Sequence, residues 1–167
     1  MEVNHLFARK VIDTMPGIIV VFGFDSHLLN MWMEVTSSKV GILGWTLWDD
    51  SGDPLPFQCW QTPANQAVVL NACDTIALSD NPGMLIDAAS SEAGIAKLKD
   101  AMSQEESGSA AIVVDALQAK QVEWVIIPFG PDSDSCVIAS LDETTVRKMA
   151  DACRRDGINI LVGKSIE

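Results

Sequence analysis

The sequence predicts an α+β fold, with an antiparallel sheet of about five strands, helices on one face and flanking helices at both ends. Two short apolar runs, residues 122–129 and 136–139, are joined by a loop rich in Gly, Pro, Asp and Ser, which is typical of a β-hairpin. Asp142 follows directly and can cap a helix whose apolar residues recur with helical spacing. An earlier run, residues 17–24, is apolar on both faces and predicts a strand that is covered on both sides.

The N-terminal part of the chain predicts a helix followed by a hairpin. The helix covers residues 2–14, where Phe7 and Val11 lie four residues apart, and it ends before Pro16. Residues 28–35 are apolar and come after a turn, so they are predicted to be a second strand that pairs with the first.

The C-terminal part predicts one further helix and two further strands. Residues 92–102 have one apolar helical face, and residues 110–116 alternate like a strand, with Ile112 and Val114 on the drier side. The run at 158–162 predicts a strand after the last helix, because it is apolar and β-branched.

The composition excludes several classes of function. The net charge of −12, with 11 Lys and Arg in total, argues against nucleic-acid binding, because that affinity depends on basic side chains that displace counterions. The longest apolar run is too short to span a bilayer, and the N-terminus lacks the apolar core of a secretory signal. The four cysteines form no CxxC pair, so free thiols are expected in a reducing, cytoplasmic environment.

The order of these elements, with several of their residues, resembles a PAS domain. Residues 7–30 (FARKVIDTMPGIIVVFGFDSHLLN) are similar to the opening segment of that family, residues 41–47 (GILGWTL) to an internal segment, and residues 141–145 (LDETT) to the acidic exit before its signalling helix. The resemblance implies a sensory or regulatory domain that binds a small ligand or a protein partner and signals through rearrangement of a dimer and its flanking helices. The chain then divides into an N-terminal helix (1–16), a PAS-like sensor domain (17–145) and a C-terminal helix with a terminal strand or tail (146–167).

The tryptophans suggest where a ligand pocket would lie. Five tryptophans and no tyrosine can line an apolar cavity, or they can pack as ordinary core. Core packing is the favoured interpretation, and Trp124 is the best candidate for a pocket residue, because alternation places it on the inner face of its strand. The candidate pocket residues are Trp32, Trp45, Trp60, Ile112, Val114, Trp124 and Ile126.

The opposite face of the same strand predicts a packing surface. Glu123 alternates there with Val125 and Ile127, so the N-terminal helix or a second subunit is expected to cover it. A homodimer is therefore expected, with a signalling protein as a further partner. The candidate residues for dimer or helix packing are Leu6, Phe7, Val11, Val125, Ile127, Val146 and Met149.

The sequence identifies no cofactor, metal site or catalytic set. Cys59 and Cys73 lack the Asn-Cys-Arg-rich motif of flavin-binding light sensors, which argues against a photochemical adduct. The two histidines, His5 in a helix and His27 in a turn, argue against haem ligation. The acidic loop at 49–53 lacks the spacing of a calcium loop. No nucleophile elbow is present, so an enzyme is not expected.

The terminal strand leaves a second hypothesis open. A PAS domain that ends in its signalling helix does not need the run at 158–162. A helix followed by such a strand favours a ligand-free protein-interaction module of another α+β fold, similar to anti-sigma-factor antagonists. Pairing of this run into the central sheet would weaken the PAS interpretation.

Overall fold

The computed structural model describes residues 18–43, 84–103, 108–129 and 135–162, and within these ranges the chain forms six strands and four helices. In chain order they are β1 (Ile18–Val21), α1 (Ser26–Thr36), β2 (Val40–Leu43), β3 (Met84–Asp87), α2 (Glu92–Ser103), α3 (Gly108–Gln118), β4 (Trp124–Phe129), β5 (Ser135–Ser140), α4 (Glu143–Arg155) and β6 (Ile160–Val162). None of these four helices is long and apolar enough to cross a membrane.

The strands form one antiparallel sheet in the order β2-β3-β4-β5-β1-β6. β4 and β5 pair along their whole length, from Trp124 opposite Ser140 to Phe129 opposite Ser135, which confirms the pairing predicted for this hairpin. The predicted α+β class and the antiparallel sheet are also confirmed. Within the described residues the sheet has six strands rather than about five: β1, β4, β5 and β6 lie in predicted strands, whereas β2 and β3 were not predicted.

Helices cover both faces of the sheet, whereas the sequence predicted helices on one face. α1 and α4 pack with Val21, Trp124 and Ile126 in what we call the α1–α4 layer. α2 and α3 pack on the other face with Val125 and Ile127, in the α2–α3 layer. Side chains alternate between the faces of a strand, so β4 contributes to both layers.

The second strand predicted at 28–35 is wrong, because these residues form most of helix α1. Asp25 caps the helix: the Leu28 N–H donates to Asp25 Oδ1 at 2.8 Å. Leu28, Leu29 and Trp32 lie on one side of the helix and are buried in the α1–α4 layer. The strand that follows this helix is β2.

The third strand predicted at 110–116 is also wrong, because these residues lie in helix α3. Val113 and Leu117, four residues apart, are buried against the α2–α3 layer. Ile112 and Val114, which alternation had placed on the drier side of a strand, are only partly buried there. In the helix, Val113 is therefore the more buried position, and its neighbours Ile112 and Val114 are the less buried ones, opposite to the prediction for a strand.

The helix predicted after Asp142 is confirmed as α4, and α2 likewise matches the helix predicted in its region. Asp142 Oδ1 accepts hydrogen bonds from the N–H groups of Thr144 and Thr145 at 3.1 and 3.3 Å, and Thr145 Oγ1 donates to Oδ2 at 2.7 Å. Val146 and Met149 are buried on the side of α4 that faces the sheet. The predicted N-terminal helix lies outside the described residues.

Candidate ligand-binding cleft

An open cleft of about 530 Å³ lies where the end of α1 and the start of β2 meet the end of β3. β2 and β3 are antiparallel neighbours with Val40 opposite Asp87, so strand pairing brings together two segments that are far apart in the sequence. The Ala88 N–H donates to the Lys39 carbonyl at 2.8 Å and ties the two walls. The cleft is lined by Thr36, Ser37, Ser38, Lys39, Asp87, Ala88 and Ala89.

The turn after α1 shapes one wall of the cleft. Ser37 has a left-handed backbone (φ 56°), which ends the helix. Thr36 Oγ1 donates to the Trp32 carbonyl at 2.8 Å and accepts a hydrogen bond from Ser38 Oγ at 2.7 Å. These bonds hold the Ser38 hydroxyl in a fixed position beside the cleft.

Ser38 also connects the cleft to the apolar core. Trp124 Nε1 donates to Ser38 Oγ at 3.1 Å. The Trp124 ring meets the Trp32 ring edge to face, with ring centroids 5.6 Å apart and planes at 85°. Trp32 is fully buried, and its Nε1 has no hydrogen-bond partner in the described part of the chain. A hydrogen bond and a contact between two aromatic rings therefore join the cleft wall to the α1–α4 layer.

Asp87 forms the other wall. This residue is only 8% exposed, and the Ala89 N–H donates to its Oδ1 at 2.9 Å. A nearly buried carboxylate needs hydrogen-bond donors, and the Ala89 N–H supplies one of them. The cleft therefore combines hydroxyl groups, a carboxylate and a lysine, which are groups that bind a small polar molecule by hydrogen bonds.

The pocket residues predicted from the sequence do not form one site. Trp32, Trp124 and Ile126 lie together in the α1–α4 layer, where they are packed as core. Ile112 and Val114 lie on α3, on the opposite side of the sheet. Trp45 and Trp60 lie outside the described residues.

The residues predicted to pack in a dimer or against a helix are also divided between the two layers of the fold. Val125 and Ile127 are buried beneath α2 and α3 of the same chain, so intramolecular helices cover the face for which the sequence predicted the N-terminal helix or a second subunit. Val146 and Met149 pack against the sheet from α4. Leu6, Phe7 and Val11 lie outside the described residues.

Two of the four cysteines lie in the described ranges, where both are free and buried in the α1–α4 layer. Desolvation, together with the nearby Cys153 and Asp25, raises the pKa of the Cys136 thiol far above its ordinary value. Burial and Asp156 raise the pKa of Cys153 to about 11. Both thiols are therefore protonated near neutral pH and are poor nucleophiles.

The described histidine, His27, lies in the first turn of α1 rather than in a hairpin turn. Its Nε2 is 2.9 Å from Asp156 Oδ2, so it joins the start of α1 to the end of α4 at the surface. Over the described ranges, no group of three or more His, Cys, Asp or Glu side chains is arranged to hold a metal ion.

Comparisons with known proteins identify no family for this chain: no protein-family model matches it, and no curated protein or solved structure shows significant similarity.

Proposed function

We propose that this chain is a sensory or regulatory domain that binds a small polar ligand in the cleft between the end of α1 and the end of β3. The observation that carries this proposal is the hydrogen bond from Trp124 Nε1 to Ser38 Oγ. A ligand that takes the place of this bond, or that moves the turn at 36–39, changes the surroundings of Trp124 and, through the ring contact, of Trp32.

α1 is the element through which such a change would spread. Its last turn lines the cleft, Trp32 in its middle contacts Trp124, and His27 in its first turn contacts Asp156 beyond α4. Movement of the turn on ligand binding would shift the packing of α1 against α4. The ligand then selects between two arrangements of these helices by its difference in affinity for them.

The resemblance to PAS domains implies the same kind of role. Two features of the fold weaken the resemblance itself. α1 occupies the residues for which a second strand was predicted, and β6 pairs with β1 in the central sheet. We also propose that the domain is cytoplasmic, forms a homodimer and has a signalling protein as a partner. The alternative, an interaction module without a small ligand, is favoured by β6, which lies at the edge of the sheet.

Tryptophan emission and thermal stability test ligand binding on the full chain. The probes are amino acids, carboxylic acids, sugars and nucleoside phosphates, each added at millimolar concentration. We expect at least one of these compounds to shift the emission and to raise the melting temperature, because a ligand that binds only the folded state stabilises it.

Two cleft variants, Ser38→Ala and Asp87→Asn, should remove this response. Their matched controls are Ser103→Ala and Asp100→Asn on α2, outside the residues that line the cleft, and these should retain it. A response that survives both cleft variants would place binding elsewhere. If no compound in the panel changes either signal, the interaction module becomes the better interpretation.

A further inference from the structure

Among the strands that the structure describes, β6 is an edge strand, and one side of its backbone faces away from its neighbour β1. Val20 lies opposite Leu161, and the Phe22 N–H donates to the Asn159 carbonyl at 2.9 Å. Hydrogen-bonded positions alternate along an antiparallel pair, so Asn159 and Leu161 direct their N–H and C=O groups toward β1. The N–H and C=O groups of Ile160 and Val162 therefore point outward.

The same edge exposes apolar side chains. Leu161 is 59% exposed, and Phe22, which directly follows β1, is 49% exposed. At the opposite edge of the sheet all four residues of β2 are buried. The β6 edge therefore combines outward-pointing backbone groups with exposed apolar surface, which are the features that favour the addition of another strand.

Charge favours a second copy of this chain as the added partner. The chain carries a net charge of −12, yet residues 16–24 and 157–163 contain no ionisable side chain. A neutral edge cannot select a basic or acidic partner by electrostatic attraction. It is also a place where two strongly acidic copies can meet with little local repulsion.

The strand is complementary to itself as well as neutral. When two copies of β6 pair antiparallel about a two-fold axis at Leu161, Ile160 lies opposite the partner's Val162. The outward N–H and C=O groups of both residues then bond to one another in each direction. Leu161 meets the partner's Leu161 in a non-hydrogen-bonded pair, the position at which facing side chains are closest.

We propose that two copies of this chain associate through β6, which joins their sheets into one continuous antiparallel sheet. Phe22, whose N–H donates to the Asn159 carbonyl, adds exposed apolar surface next to this edge. This interface is independent of the ligand cleft, which lies at the end of β3, and it replaces the face of β4 as the site of dimer contact.

Val162→Pro tests the backbone pairing. Proline removes an N–H that points away from β1, and it favours an extended conformation at Leu161, so the pairing of β6 with β1 is retained. Val162→Ala is the matched control, because it shortens the same side chain and keeps the N–H. Analytical ultracentrifugation over a range of concentrations measures the monomer–dimer equilibrium of each protein.

We expect the wild type and Val162→Ala to dimerise, and Val162→Pro to raise the dissociation constant about tenfold or more, since each dimer loses two hydrogen bonds. A wild-type chain that stays monomeric at every concentration would overturn the proposal. So would a dimer that Val162→Pro leaves unchanged.

Leu161→Cys supplies a second test that does not depend on the proline variant folding. The two-fold pair brings the Cα atoms within the range that a disulfide requires. With diamide as the oxidant, we expect a covalent dimer in which mass spectrometry finds position 161 linked to itself. Leu141→Cys, at another exposed leucine, and the wild type measure the background. Cross-linking at 161 no greater than this background would contradict the two-fold pairing.

Discussion

Gly94 sets the distance between α2 and the segment that leads into β4. A Cβ atom at this position would lie 2.5 Å from the Gln121 carbonyl oxygen and 2.9 Å from Val122 Cγ2. The Ser91 N–H donates to the same carbonyl at 3.1 Å, so the two segments are bonded as well as packed. Glycine within a helix is about 1 kcal/mol less favourable than alanine, so close packing rather than helix propensity explains this residue.

We therefore expect Gly94→Ala to destabilise the fold by about 1–3 kcal/mol, because the backbone of α2 must move away from Gln121. Gly23→Ala is the matched control: its added Cβ would lie 4.0 Å from Ile158 Cγ2, an ordinary contact. That change should stay within about 0.5 kcal/mol. Urea denaturation followed by tryptophan fluorescence measures both, and equal free-energy changes would contradict the packing described for Gly94.

Among the elements, two helices begin with the same kind of cap, yet the sequence predicted only one of them. Asp142 and Asp25 each accept hydrogen bonds from backbone N–H groups within the first turn. The residues after Asp142 are apolar only at helical spacing, whereas the run after Asp25 is apolar enough to fit a strand. α1 forms because Leu28, Leu29 and Trp32 pack against the sheet, and such long-range contacts override local propensity.

The cleft also depends on contacts between residues that are far apart in the sequence. Asp87 follows an apolar run, but its position opposite Val40 results from the register of β2 and β3, which no local pattern determines. Trp124 was correctly placed on one face of its strand by alternation. Ile112 was also assigned to a face by strand alternation, but it lies in helix α3, where side chains do not alternate between two faces.

The stability of α4 depends on pH through its cap. The Thr145 hydroxyl, with the N–H groups of Thr145 and Thr144, holds the pKa of the Asp142 carboxyl below its ordinary value. A carboxylate whose pKa is lowered by folding stabilises the fold above its unfolded pKa of about 3.9. This contribution is lost as the pH falls from that value through the lower pKa of the folded state.

We expect Asp142→Ala to lower the free energy of unfolding by about 1 kcal/mol at neutral pH and by less in acid, where the wild-type carboxylate is protonated. Asp142→Asn should keep most of the cap at neutral pH, because the amide oxygen still accepts hydrogen bonds, and it should remove the pH-dependent part. Urea unfolding at a series of pH values measures this. A deficit of the alanine variant that stays constant into acid would show that the charge of Asp142 contributes nothing.

In the whole molecule, β5 connects the two apolar layers. It lies between β4 and β1, and all six of its residues are buried. Ile138 belongs to the α1–α4 layer, whereas Val137 and Ala139 belong to the α2–α3 layer. Loss of either layer therefore removes packing from the same strand, so the two layers are expected to unfold together.

Hydrogen exchange distinguishes this shared centre from the β6 edge. We expect the amides of β5 to exchange only through global unfolding. Their free energy of exchange should therefore equal the free energy of unfolding measured in urea. At low protein concentration the outward amides of Ile160 and Val162 should exchange much faster, since no described strand pairs with β6 on the side away from β1. At high concentration they should slow, while the Leu161 amide, which faces β1, should change little. Exchange of β5 through smaller openings would contradict the coupling of the two layers, and concentration-independent exchange at Ile160 and Val162 would leave the β6 edge uncovered in solution.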